Sequence, residues 1–407
     1  MKKIAKLSLV AAVAVVGFTS ANAQSLEEAI KGVETSGSVV YRYNDYNNDN
    51  AAANDDSSTS NNYKVALNLA SKVNEDVKLN TRFIVGATDS GFASLNTQST
   101  SDSNVDVTLS NVYFGYTGLQ NTTVNVGKQG LTTPWTVAVD SDGNEQTGTG
   151  ILALSTVGPV TLAGAYFNQT DLGTSGDFTK TLNTLNSSKA TVALKEADAD
   201  ATGSKAIATV GAIAAVGPVT FDAWYLDMNE TFDSFTIGAK ANFDVAEAKM
   251  GLDTRFTSLN VDNSDDDNNM GKIALTAKVG IVNAKVLYAM TDKDGGLTAL
   301  DNDAVTTALG WNTTINGKAD ADYWQTTLGV DILSNLNLSA NYNNLQYVSG
   351  TADIEEEELY AQLTYKMSKN FSTYGRFGTY TNDKLNTTTN KDTNDDVRGR
   401  VQVEYTF

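Results

Sequence analysis

The chain has 407 residues, a formal net charge of −19, three prolines, and neither cysteine nor histidine. The lack of cysteine excludes disulfide frameworks and thiolate metal sites, and the lack of histidine removes the commonest general base and zinc ligand. The excess of carboxylates is the opposite of the basic surface that nucleic acid requires, so we expect neither an enzyme nor a nucleic-acid partner.

The first segment, residues 1–23, has the features of a secretory signal peptide. A basic start precedes an apolar run from Leu7 to Phe18, and the small-residue stretch ANA ends at Ala23. The apolar run is shorter than the roughly 20 residues that a membrane-spanning helix needs. We therefore expect export, cleavage after Ala23, and one continuous domain over residues 24–407.

The rest of the chain repeats segments of about 8 to 12 residues in which apolar and polar side chains alternate. In the first segment, Val39 and Tyr41 lie on the face opposite Arg42. In the last segment, VRGRVQVEYTF at 397–407, valines and aromatic residues lie opposite Arg398 and Arg400. This pattern predicts strands with one apolar face and one polar face.

The connections between these segments alternate in length. Short turns, such as VGPV at 157–160 and at 216–219, alternate with mostly longer polar stretches, such as those at 130–147, 169–204, 293–322 and 348–354. The breaks give about nine hairpins and about 18 strands, with 16 strands as the alternative count. All the short turns then lie at one end of the sheet and the long loops at the other.

This pattern predicts a transmembrane antiparallel β-barrel with short periplasmic turns and long extracellular loops. Strands of about 9 to 11 residues suffice to cross the membrane at a tilt, and a barrel in lipid has its apolar face outside and its polar face in the lumen. Because lipid offers no partner for backbone groups, the first and last strands must pair. A soluble secreted β protein is the alternative interpretation.

Two stretches resemble the major outer-membrane porins of Campylobacter and related epsilonproteobacteria. They are SLEEAIKGVETSGSVVYRYND at 25–45 and VNVGKQGLTTPW at 124–135, the latter followed by acidic residues and GTG at 148–150. The resemblance implies a trimer of 18-stranded channels whose third loop folds inward, surrounded by outer-membrane lipid and lipopolysaccharide. It also implies that Phe407 is the signal read by the barrel-assembly machinery.

The function predicted from these features is an outer-membrane porin that forms a water-filled channel for ions and small hydrophilic solutes, with a preference for cations. A substrate-selective channel and a barrel serving as surface adhesin or antigen are the alternatives. The expected constriction in the third loop carries Asp140, Asp142 and Glu145. The expected cationic pore wall comprises Arg42, Lys64, Arg82, Arg398 and Arg400.

Two further polar stretches are interpreted as a candidate calcium site and as a loop, respectively. VDNSDDDNN at 261–269 is rich in oxygen ligands but lacks the glycine and the spaced terminal glutamate of an EF-hand loop. The candidate ligands for loosely bound calcium are Asp262, Asp265, Asp266 and Asp267, the alternative being an exposed loop, and we expect no other cofactor. GLTALDNDAVTTALG at 296–310 is assigned no function.

Overall fold

The computed structural model describes residues 32–48, 57–87, 91–95, 106–173, 203–262, 267–293, 295–385 and 392–407. The predicted signal peptide and the start of the mature chain lie outside these residues. Within the described ranges no helix is long and apolar enough to cross a membrane.

The described residues form one antiparallel sheet of nineteen strands. In chain order the strands are β1 (Glu34–Asn48), β2 (Ser57–Lys72), β3 (Val77–Gly86), β4 (Ala93–Ser94), β5 (Asp106–Leu119), β6 (Thr122–Gly130), β7 (Thr147–Val157), β8 (Val160–Thr170), β9 (Ile207–Val216), β10 (Val219–Met228), β11 (Phe232–Val245), β12 (Ala248–Val261), β13 (Asp267–Val279), β14 (Val282–Thr291), β15 (Ala319–Leu333), β16 (Leu336–Ser349), β17 (Ala352–Lys366), β18 (Phe371–Lys384) and β19 (Asp392–Thr406). Strand β4 has two residues and pairs only with β2, so eighteen long strands form the barrel.

The barrel closes where β1 pairs with β19. Val39 lies opposite Tyr405, and Tyr43 lies opposite Val401. The backbone N–H of Gly37 donates to the carbonyl of Phe407 at 2.9 Å, and the N–H of Phe407 donates back at 3.1 Å. These pairings confirm the predicted closed 18-stranded β-barrel and the predicted pairing of its first and last strands.

The two faces of the sheet differ as the alternation predicts. On β1, Val39 and Tyr41 are exposed on the outside, whereas Arg42 is buried in the lumen. Apolar side chains exposed on the outer face of other strands include Val126, Leu154, Phe221, Ile237, Ile273, Leu328, Leu338, Leu363, Phe377 and Val401. The outer face is therefore suited to lipid.

The long strands, which have 9 to 16 residues, extend further than the sequence pattern predicts. One such change concerns 348–354, which we expected to be a loop. Strand β16 continues to Ser349 and β17 begins at Ala352, because polar side chains pair across the strands; for example, Gln346 donates to Glu355 at 2.7 Å. That connection is a tight turn in which Gly350 has a φ of 64°.

Two loops fold into the barrel: the third loop (131–146), between β6 and β7, and the seventh loop (292–318), between β14 and β15. Trp135 of the third loop and Leu297 and Leu300 of the seventh belong to a buried apolar cluster on the inside of β8 to β12. Ala308 and Ile315 of the seventh loop pack in a second cluster inside β13 to β16. Both clusters lie within the barrel, so the lumen is partly filled with packed side chains.

Candidate functional site

The third loop folds into the lumen and contacts the wall at β11, several strands from the strands that it connects. The indole Nε1 of Trp135 donates to Ser234 Oγ on β11 at 2.8 Å, and both residues are buried. The loop also turns sharply at Gly143, which has a φ of 84° and whose carbonyl accepts from Lys64 Nζ at 2.5 Å. The inward fold implied by the resemblance is confirmed.

Glu145 is the buried anchor of the third loop. Its carboxylate accepts hydrogen bonds from Lys64 Nζ at 2.6 Å, Arg82 Nε at 2.8 Å and Ser110 Oγ at 2.9 Å. Burial raises the pKa of Glu145, but the bonds from Arg82 and Lys64 outweigh burial, so the pKa lies below its ordinary value. The ionised carboxylate joins the loop to β2, β3 and β5.

Asp142 lies at the tip of the third loop, where 67% of its side chain is exposed. Its Oδ1 is 3.4 Å from Arg42 Nη1 and 4.0 Å from Arg400 Nη2. Arg42 also donates to the carbonyl of Ser141 at 2.7 Å and lies over the ring of Phe92 at 4.1 Å. Ion pairs this exposed contribute less than about 1 kcal/mol, so Asp142 remains accessible to solutes in the lumen.

Two other predicted site residues have different surroundings. Asp140 is buried, and its carboxylate accepts from the backbone N–H of Asn144 at 2.8 Å and from the amide of the same residue at 2.7 Å. Arg398 pairs with Asp396 and donates to Asn312 of the seventh loop. Asp140 thus stabilises the turn of its own loop, and Arg398 contacts the other inward loop.

The two inward loops bind each other. The N–H of Leu300 donates to the carbonyl of Trp135 at 2.9 Å, and the N–H of Ser141 donates to Asp303 Oδ2 at 2.9 Å. The side-chain amide of Gln146 donates to Asp301. The loops therefore form one connected structure inside the lumen.

Glu358 on β17 is the wall anchor of the seventh loop. Its carboxylate, fully buried, accepts from the backbone N–H of Trp311 at 2.7 Å, from that of Asn312 at 2.8 Å and from Thr313 Oγ1 at 3.1 Å. Hydrogen bonds to an ionised acceptor are among the strongest in proteins. Glu145 in the third loop and Glu358 in the wall thus fix the two loops to different parts of the wall.

A cavity of about 650 Å³ lies between these loops and the inner wall of β13 to β19. The charged groups that line it are Lys272, Lys285, Arg376, Arg400, Asp142 and Asp303. Four cationic side chains therefore face two carboxylates. The region next to the inward loops carries local positive charge although the chain as a whole is acidic.

The calcium candidates are only partly described. Asp262 follows β12 and Asp267 begins β13, whereas Asp265 and Asp266 lie outside the described residues. No group of three or more carboxylates able to hold a metal ion occurs in the ranges that the structure describes. Calcium binding at 261–269 stays a prediction.

The seventh loop, Glu358 and Arg376 were not predicted from the sequence as parts of the site. One signal was present for the loop: GLTALDNDAVTTALG contains three leucines, which an exposed loop does not require. A signal also existed for Glu358, because strand alternation through IEEEEL places Glu356 and Glu358 on the same face. No sequence pattern indicated which of these residues meet.

A closed β-barrel with an apolar outer face, a polar lumen and inward loops defines an outer-membrane channel of the porin class. The sequence matches the family described as Campylobacter major outer membrane protein over residues 1–407, the whole chain. The chain belongs to that family, as the resemblance predicted. No curated protein is similar enough to count as a match.

Solved structures share the fold. Acinetobacter baumannii OccAB3 is 14% identical, with a TM-score of 0.69 over 93% of this chain and 99% of that one. A BenF-like porin from Pseudomonas fluorescens Pf-5 is 15% identical, with a TM-score of 0.70 over 92% and 98%. Pseudomonas aeruginosa OccK2 is 11% identical, with a TM-score of 0.69 over 93% and 98%.

Proposed function

We propose that this outer-membrane porin lets ions and small hydrophilic solutes cross by passive diffusion through the space beside the two inward loops. The observation that supports the proposal is the cavity of about 650 Å³ between the loops and the polar wall. Polar and charged linings accommodate hydrated solutes and sort them by charge and size. The proposal contains no catalytic step.

The proposed ion preference is a weak one for cations. The net charge of −19 concentrates cations around the protein. Asp142 presents an accessible carboxylate at the loop tip, but four cationic side chains line the same cavity. Because these local charges oppose the long-range field, the preference is smaller than the net charge alone predicts.

The test is planar-bilayer recording of the purified protein in a potassium chloride gradient. The wild type should conduct with a cation-directed reversal potential, and Asp142→Asn should move that potential toward anions. Glu247→Gln, in the exposed turn between β11 and β12, is the matched control and should leave the potential unchanged. Absence of conductance would overturn the channel proposal, and an unchanged potential in Asp142→Asn would remove Asp142 from the selectivity region.

A second candidate, a substrate-selective channel, is favoured by the unneutralised charge in the cavity. Lys272 donates to the carbonyl of Thr307 at 2.7 Å, and Arg376 Nε donates to Gln362 at 2.8 Å. Neither these two residues nor Lys285 forms an ion pair with a carboxylate in the part of the chain that the structure describes. Conductance that saturates with one class of solute would support this candidate over general diffusion.

The proposed assembly is a homotrimer in the outer membrane, in contact with lipid and lipopolysaccharide. The apolar outer face supports membrane contact. Phe407 lies beside Gly37 where β1 pairs with β19, which is compatible with a role in assembly. Three equal closing steps in single-channel records would support the trimer. Deleting Phe407 should lower the amount of protein inserted by the barrel-assembly machinery, measured in outer-membrane fractions.

A further inference from the structure

Two arginines face each other directly on the lumen wall. Arg376 on β18 lies opposite Arg400 on β19 in the strand register, and both line the cavity beside the inward loops. Like charges in directly opposed positions destabilise a strand pair. Among the described residues the pair forms one ion pair, between Arg400 and the largely exposed Asp142 at 4.0 Å, and Arg376 forms none. The pair therefore carries unneutralised positive charge.

Aromatic rings hold the guanidinium of Arg376 in place. Its central carbon lies 4.9 Å from the ring centre of Trp311, 5.0 Å from that of Tyr360 and 5.4 Å from that of Tyr374. Among the residues that the structure describes, only its Nε donates to a protein acceptor, the side chain of Gln362. A planar guanidinium held in this way presents its terminal nitrogens as a fork that matches a carboxylate.

The same rings supply a surface for an apolar group. Trp311 and Tyr360 meet edge to face with ring centres 5.3 Å apart, and both line the cavity. The guanidinium carbon of Arg400 lies 5.9 Å from the ring centre of the same Trp311. A solute that joins a carboxylate to a planar body could contact the arginines and the rings together, which an inorganic anion cannot do.

Further cations continue along the lumen from this pair. Lys272 and Lys285 line both the cavity beside the loops and a second cavity of about 310 Å³. Lys285 also lines a third cavity of about 560 Å³ that extends to the turn between β11 and β12. The three spaces share lining residues, so lysine side chains continue along the lumen from the inward loops toward the short-turn end, with Asp253 beside them in the second cavity.

We propose that Arg376 and Arg400, with the rings of Trp311 and Tyr360, form a subsite for small aromatic monocarboxylates that permeate the channel. This inference rests on the proposed channel function and names a solute class for it. The arginines neutralise the carboxylate, the rings contact the planar body, and Lys272 and Lys285 offer the next favourable positions. Conduction requires binding weak enough for release. Arg376 and Arg400 already donate to Gln362 and Asn44, so they bind a shared carboxylate with only part of their donors.

The experiment records potassium chloride current through the full-length channel in bilayers while sodium benzoate is added. Benzylammonium is the control for charge, and acetate is the control for the ring. Benzoate should reduce the current in a saturable way, and Arg376→Gln should weaken its apparent affinity about tenfold, which corresponds to about 1.4 kcal/mol. Lys78→Gln removes one exposed lysine that pairs with Glu34 away from the cavity, and it should leave the affinity unchanged.

Three outcomes would overturn the subsite: no effect of benzoate on a conducting wild-type channel, equal reduction by benzylammonium, or unchanged affinity in Arg376→Gln. Equal reduction by acetate would overturn the role of the rings. Arg376→Lys retains the charge but loses the planar fork, so an affinity for benzoate below that of the wild type in this variant supports the assignment even if Arg376→Gln folds poorly, and a wild-type affinity overturns it. A channel that does not conduct at all contradicts the proposed function, which distinguishes that failure from failure of the subsite.

Discussion

Replacing Glu145 with glutamine should release the third loop from the wall. The substitution keeps the shape of the side chain but removes the charge that faces Lys64 and Arg82, whose side chains are 6% and 19% exposed. Removing one partner of a buried ion pair costs about 3–5 kcal/mol, because the remaining charge stays buried without compensation. At a factor of ten for every 1.4 kcal/mol, the equilibrium between docked and released loop should shift by more than about 100-fold.

Single-channel recording measures that shift as a larger mean conductance and added current noise from loop movement. Asp142→Asn is the control, because it removes a charge from the same loop at a site that is 67% exposed, where an ion pair contributes less than about 1 kcal/mol. A record for Glu145→Gln as quiet as that for Asp142→Asn would refute the reasoning. Adding Arg82→Gln to Glu145→Gln should recover part of the loss, because fewer cations are then left unpaired.

Three further predictions concern Glu358, the pH dependence of loop docking, and the junction between β1 and β19. Glu358→Gln should weaken the hold on the backbone of Trp311 by about 2 kcal/mol, the value of a hydrogen bond to a charged group, and should increase current noise. The pKa of Glu145 lies below its ordinary value of 4.5, so the loop should stay docked at pH 5 and be released only as the pH falls through that lowered pKa. A pH titration of conductance should show this step in the wild type and not in Glu145→Gln. Gly37→Ala should reduce thermal stability, since an added Cβ would lie 2.2 Å from the carbonyl oxygen of Ala66 and 2.7 Å from the ring of Phe407; Gly164→Ala, with open space around it, should not.

The sequence predicted the barrel well because the alternation that creates it is local. Val39 and Arg42 point to opposite faces from their spacing alone, and lipid then requires closure between β1 and β19. The predicted loop at 348–354 was too long because the boundary depends on cross-strand pairs, such as Gln346 with Glu355, that a single segment does not reveal.

The site was less predictable because its contacts join residues far apart in the chain. The sequence singled out Glu145, Lys64 and Arg82, and the structure brings these three together, but as a buried anchor and not as opposed charges facing open water. The contact of Glu358 with the seventh loop depends on how that loop packs inside the barrel. The same packing decides whether a lumen arginine has a carboxylate partner, like Arg398, or has none within the described ranges, like Arg376.

The two apolar clusters inside the barrel divide the inner wall into parts that pack against the inward loops and parts that face the remaining space. Where Trp135, Leu297 and Leu300 pack against β8 to β12, the wall serves as a hydrophobic core, and its side chains have no route to a passing solute. In the proposed channel, solutes would pass beside the inward loops, along the parts of β13 to β19 that line the cavity and are not covered by the second cluster. Substitutions such as Leu259→Ala should then alter folding while leaving selectivity unchanged, because Leu259 packs in the first cluster and does not line the cavity.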